Sequence, residues 1–150
     1  MLHPMSQEKA VSSQVVWQSS SLRVLTTRLH PGTDLKQALA KLAESSLSGC
    51  IVTCTGSLSH AVMRLAGARS ILDQAGPFEI LSLSGTLSPE GVHLHMSLSD
   101  AAGNCLGGHL MDGSIIATTA ELVVGVTPEL SFSRPHDPAT GYAELAIEPA

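Results

Sequence analysis

Three histidines are the residues of this chain best placed to do chemistry: His93 and His95 in the run VHLHMSLSD, and His109 in NCLGGHL. In the first run Val92, Leu94, Met96 and Leu98 alternate with His93, His95, Ser97 and Ser99, the period of a strand with one apolar and one polar face. Ala101-Ala102-Gly103 reads as a three-residue hairpin loop, a type I turn closed by a left-handed glycine. That loop pairs Asp100 with Asn104, sets His95 opposite His109 and leaves His93 diagonal to His109 on the same face. Opposed Cβ atoms lie about 5 Å apart and diagonal ones about 7 Å apart. Three imidazoles can therefore converge on one ion, with Gly107 and Gly108 leaving backbone space beside them. Neutral imidazoles with a fourth position open are the ligand set of a catalytic zinc, which lowers the pKa of a bound water to about 7. The spacing permits this without requiring it. A one-residue slip would part His109 from the other two, and histidines on a polar sheet face can equally stand in solvent or in hydrogen bonds.

Other residues carry weaker signals. His60 is able to join the cluster from a neighbouring strand, but a structural histidine with a hydrogen-bond partner is the commoner case. His3, His30 and His136 lie in terminal or turn segments. Cys50 and Cys54 share a strand face in an apolar segment, where small core thiols are expected rather than ligands. Glu79 and Glu121 fall inside apolar strands; each is a candidate general base or a carboxylate orienting a ligand histidine, against the plainer reading of an edge or interface carboxylate. The chain has no G-x-S-x-G, Walker A or G-x-G-x-x-G sequence.

Several elements must position these groups. Residues 1–13 read as a flexible polar tail and 14–150 as one domain. LRVLTTRL (22–29) is a strand closed by His30-Pro31-Gly32. Thr33 or Asp34 then caps a helix in which Leu35, Ala38, Leu39 and Leu42 recur at helical spacing. Cys50 to Thr55 reads as a short buried strand broken at Gly56, and SLSHAVMRLAG as a further strand. A loop is expected around Asp73 to Pro77, followed by FEILSLSGTLS with period 2, the two histidine strands, SIIATTAELVVGV, and YAELAI as a last edge strand. The class is α+β: a mainly antiparallel sheet of about seven strands covered by one principal helix.

The chain has 150 residues, enough to bury roughly two-thirds of its unfolded surface in a single core. Hydrophobic residues make up 43% and charged ones only 14%, a surface poorly defended against association, so a homo-oligomer is expected. The eight Lys and Arg are scattered and the net charge is −5, which lacks the basic stripe of a free-standing DNA binder. Three cysteines without a C-x-x-C pair point to a reducing compartment, and the N-terminal residues carry no leader or membrane-spanning pattern. A cytoplasmic protein is expected, with no membrane contact.

FEILSLSGTLS, HLHMSLSD, GGHLMDG and TTAELVV together resemble the PPC domain, conserved in plants and prokaryotes and carried by plant AT-hook nuclear proteins. The likeness covers roughly residues 22–148 and is to prokaryotic single-domain members. It implies a sheet-and-helix domain that assembles as a homotrimer, with His93, His95 and His109 at the positions of metal ligands. Zinc suits such an imidazole set. Plant members show Gly-Arg-Phe-Glu-Ile-Leu, used for partner interaction, where this chain has Gly76-Pro77-Phe78-Glu79-Ile80-Leu81, and the basic AT-hook is absent. The function expected is a trimeric metal-binding module with a regulatory or interaction role through protein partners, DNA association being less supported. The alternative is a small zinc-dependent hydrolase with a three-histidine site.

Overall fold

The computed structural model describes residues 8–11, 14–45 and 47–150. In chain order the elements are β1 (Glu8–Val11), β2 (Gln14–Trp17), β3 (Arg23–Leu29), α1 (Leu35–Ala43), β4 (Gly49–Arg64), β5 (Ile71–Ser88), β6 (Gly91–Asp100), β7 (Cys105–Leu110), β8 (Ile115–Val126), β9 (Leu130–Ser133), β10 (His136–Asp137), β11 (Tyr142–Ala143) and β12 (Ala146–Pro149). Six strands form one antiparallel sheet in the order β3-β8-β4-β5-β6-β7, and β7 returns to pair with the end of β4. The expected α+β class with one helix is what forms. The sheet is not open, however, because the β7–β4 pairing curls four strands into a ring.

Glycine spacing explains how the ring closes. A Cβ on Gly107 would meet the Met96 carbonyl oxygen at 2.8 Å, and one on Gly108 would meet the Arg64 carbonyl oxygen at 2.7 Å. Met96 lies on β6 and Arg64 on β4, so the two glycines let β7 approach a neighbour on each side. Gly56 does the same between β4 and β8, where a Cβ would stand 2.1 Å from the Thr119 carbonyl oxygen. The strand therefore runs through Gly56 rather than breaking there. The expected loop at Asp73 to Pro77 is also strand: the β4–β5 turn falls at 65–70, and pairing starts at Arg64↔Ile71. Pro77, which has no N–H to donate, sits where the β4–β5 ladder skips between Leu58 and His60.

Bulges reset which side chains face in. On β4 the ladder to β8 skips between Ile51 and Thr53, so Ile51 and Cys54 are buried while Cys50, Val52 and Thr53 are exposed. Cys50 and Cys54 thus do not share a face. On β5 the ladder to β6 skips between Ile80 and Ser82. Phe78 and Ile80 point inward before the skip, Leu83 and Leu87 after it, and Ser82 and Ser84 turn outward.

Leu35, Leu39 and Ala43 of α1 are fully buried against the inward face of the sheet, with Leu87, Leu94 and Leu98 in the same core. Each such leucine contributes about 1.5–3 kcal/mol by leaving water. Asp34 caps the helix: Oδ1 accepts the Gln37 amide at 3.1 Å, while Oδ2 accepts the Gly113 amide at 2.7 Å and ties the helix start to the β7–β8 turn. The chain outside the main sheet forms three two-stranded ribbons, β1–β2, β9–β12 and β10–β11. The expected last edge strand is in part β12, and its partner is β9 rather than the main sheet. Within the expected N-terminal tail, Glu8–Val11 pairs with Gln14–Trp17; residues 1–7 and 12–13 lie outside the described residues.

Asp34→Ala removes both bonds and is expected to cost about 1–2 kcal/mol, seen as a lower urea midpoint with an unchanged slope. Burial pushes the Cys54 thiol up to about 11, whereas Cys105 is exposed. Iodoacetamide at mildly alkaline pH should modify Cys105 in the native protein and Cys54 only after unfolding, as peptide mass mapping would show.

Candidate metal centre

The hairpin forms as its loop demands. Gly103 has φ +84°, its amide donates to the Asp100 carbonyl at 3.0 Å, and the Asp100 amide donates to the Asn104 carbonyl at 3.0 Å. The Asp100 carboxylate also accepts the Ala102 and Asn104 amides and the Asn104 side-chain amide, and these bonds hold it below the usual carboxylate range. Register follows: His95 pairs directly with His109. Leu94, Met96 and Leu98 are buried and leave His93 and His95 on the outer face.

The imidazole nitrogens of His93, His95 and His109 lie within 4.8 Å of one another. His93 Nε2 and His95 Nε2 are 3.2 Å apart. Ligand nitrogens about 2.0–2.1 Å from a tetrahedral zinc are separated by roughly 3.3 Å, so one edge of such a site is already near its length. His109 Nδ1 is buried and has no hydrogen-bond partner, a state that costs about 1–3 kcal/mol unless something meets it. The donor set and this orphaned nitrogen fit a metal ion.

The surroundings of His109 and His93 favour their neutral rings. Burial, then Arg64, then His93, His95 and Lys36 lower the His109 pKa to about 4. His93 is lowered by burial, His95, Arg134 and Arg64, against the opposing pull of Glu144. A neutral imidazole is the form that ligates a metal.

Rows of side chains cross the ring of strands. Ser84, His95, His109 and Arg64 are successive cross-strand partners on β5, β6, β7 and β4. The next row is Ser82, Ser97 and Gly107, with the two serine hydroxyls 2.7 Å apart. Beside them opens a hollow of about 710 Å³, lined also by Arg64, the 65–68 turn and Tyr142. The Arg64 guanidinium lies over the Tyr142 ring, 5.8 Å from its centroid. Arg134 reaches the site from the C-terminal segment, donating to Thr86 Oγ1 at 2.7 Å beside His93.

The remaining sequence candidates fall elsewhere. His60 meets the Asp73 carboxylate and does not join the cluster. Glu79 pairs with Ser99, four residues along from His95 and so roughly 13 Å away. Glu121 lies on β8 between Arg28 and Thr55. Neither carboxylate lines the hollow. Sequence reasoning passed over Arg64, Ser82, Ser84 and Tyr142. Arg64 had a signal, since it alternates with His60 and Val62 along one strand face, but its partner His109 depends on the ring closure.

Fold and site together define a curled antiparallel sheet under one helix that presents three clustered histidines beside an open hollow. The family model for the Plants and Prokaryotes Conserved (PCC) domain, also abbreviated PPC, matches residues 17–128, and the chain belongs to this family. It is 49% identical over 137 residues to a bifunctional protein GlmU of Synechococcus sp. (strain JA-2-3B'a(2-13)), covering 86% of this chain and 21% of that relative. The chain thus spans about a fifth of that relative's length. It is 28% identical to AT-hook motif nuclear-localized protein 24 of Arabidopsis thaliana, over 77% of this chain and 39% of that one. Among solved structures, a hypothetical protein of Salmonella enterica superposes with TM-score 0.83 at 40% identity, covering 88% of this chain and 97% of that one. A metal-containing protein of Archaeoglobus fulgidus superposes with TM-score 0.74 at 25% identity, covering 87% and 98%.

In metal-free protein His109 is expected to titrate near pH 4, readable by NMR of the ring carbons. Its folded pKa lies below the unfolded value of about 6.5, so the neutral ring supports folding above that value. This support should fade as pH falls from about 6.5 to about 4, lowering the melting temperature of the metal-free protein across that window.

Proposed function

We propose that this protein is a metal-binding PCC module that holds one divalent ion, zinc by preference, at His93, His95 and His109, and acts as a homotrimer in a regulatory or interaction role. The observation that carries this is the convergence of the three imidazoles, beside which His109 Nδ1 is buried and unpartnered. Imidazole-rich sites suit zinc, and the relative from Archaeoglobus fulgidus contains a metal. Assembly is supported by β3, which among the described residues pairs only with β8, and by the exposure of Leu22, Val24, Leu25 and nearby Val52. Open strand edges with apolar side chains are sites of association. The three free cysteines suit the reducing cytoplasm, and among the described residues no helix is long and apolar enough to cross a membrane. Protein partners are favoured over DNA, because a net charge of −5 opposes phosphate binding.

The hollow beside the histidines favours a second reading, a small zinc-dependent hydrolase. Zinc would there supply an activated water. With Glu79 and Glu121 away from the hollow, neither is placed to serve as base.

Untagged protein should contain one zinc per subunit by elemental analysis and run as a trimer by light scattering. His95→Ala and His109→Ala should each lose the metal while remaining folded. A parent protein that cannot be loaded with zinc would rule the metal reading out, and a monomer in solution would do the same for the assembly. Any DNA affinity should be weak at low salt and vanish near physiological ionic strength.

A further inference from the structure

We infer that the hollow beside the histidines binds small hydroxycarboxylates, with Arg64 receiving the carboxylate and the outward serines of β5 and β6 receiving the hydroxyls. This rests on the metal reading above, because the carboxylate would lie on the open side of the histidines.

Arg64 is the anchor. It is the direct cross-strand partner of His109, so its side chain leaves the sheet on the histidine face about 5 Å from that residue. Among the described residues no carboxylate lies within ion-pair distance of its guanidinium, and no Asp or Glu lines the hollow. Arg64 is instead held over the Tyr142 ring, which steadies the guanidinium while leaving its N–H edge free. A half-buried arginine without an anion, next to a site suited to a dication, is a receptor for a negative group. The guanidinium fork matches a carboxylate with two parallel hydrogen bonds.

The opposite wall selects the rest of the ligand. Ser82, Ser84 and Ser97 point outward, and the bulge at Leu81 is what turns the first two that way. The Ser82 and Ser97 hydroxyls already bond to each other at 2.7 Å, leaving further donor and acceptor capacity toward the hollow. Gly107, next in the same row beyond Ser97, adds no side chain to the floor. Adjacent hydroxyls suit a polyhydroxylated body better than a hydrocarbon one, and about 710 Å³ accommodates a six-carbon acid. The rim is a tight turn with Gly67 at φ +82° and Ala68 at φ +55°. A non-glycine residue in the left-handed region is uncommon and recurs at ligand clamps.

Isothermal titration calorimetry on zinc-loaded protein would compare gluconate with its uncharged counterpart sorbitol. Gluconate should bind and sorbitol should not. Arg64→Gln should weaken gluconate about tenfold or more with one zinc per subunit retained, and Arg64→Lys should fall between, keeping charge but losing the fork. Zinc content in each sample shows that the variant is folded and loaded. Full zinc with no heat from gluconate would overturn the inference alone, as would equal binding of gluconate and sorbitol or an Arg64→Lys variant that binds like Arg64→Gln when neither differs from the parent. A parent without zinc would overturn this inference and the metal reading together.

Discussion

The site depends on β7 being a strand squeezed between two others. Only six residues long, it pairs with β6 on one side and with the last residues of β4 on the other. Gly107 and Gly108 stand side by side in it, and each removes the Cβ that would block one of the two approaches. His109 follows immediately and so emerges between His95 and Arg64. The free energy that holds it there is the inward face: Leu110, Met96, Leu98 and Met63 are all buried behind the glycines. Burying such a side chain contributes about 1.5–3 kcal/mol, so several of them readily offset the conformational freedom that two strand glycines lose, near 0.5–1 kcal/mol each. Ring closure is therefore driven by the core and merely permitted by the glycines.

That geometry sets up an opposition of charges. Burial, then Arg64 and Lys36 at His109 and Arg134 and Arg64 at His93, push those two rings toward the neutral form, which favours ligation, yet the same cations repel a metal. Repulsion between a guanidinium and a dication several Å away is on the order of a few kcal/mol at an effective dielectric constant of about 20. A metal held by the histidines would leave this positive charge unbalanced, to be answered by an anion from solution. Glu144 offsets part of it at His93 but does not line the hollow.

Much of the hairpin was legible in the sequence because its information is local. Ala101-Ala102-Gly103 specifies a turn, the turn specifies register, and register with the alternation of Leu94, Met96 and Leu98 puts three histidines on one face. The helix was equally legible from the spacing of Leu35 and Leu39. What escaped was whatever depends on a bulge or on closure. Period 2 carried straight through FEILSLSGTLS would send Ser82 and Ser84 to the same side as Phe78 and Ile80; the adjacent apolar pair Ile80-Leu81 marks the skip that sends them outward instead. Cys50 was misplaced for the same reason, by the skip at Val52. Arg64 could not be joined to His109 because 44 residues and three strand turns lie between them, and only the return of β7 to β4 brings them together.

The histidines and the groups around them and the hollow divide along the chain in an informative way. His93, His95, His109, Arg64 and the three serines all fall within residues 17–128, the part matched by the family model. Tyr142, Arg134 and Glu144 come from the segment beyond it, which is anchored by β9–β12 pairing and by the Arg134 contacts with Thr86 and the Gly91 carbonyl. The matched part thus holds the imidazoles and Arg64, while the segment after it supplies the aromatic face of Tyr142 and two of the charges acting on His93, Arg134 and Glu144. A chain that kept the sheet and changed this segment would keep its ligand nitrogens in place and alter what stands over Arg64. The same sheet can in this way present the three imidazoles beside a wall that a separate segment supplies.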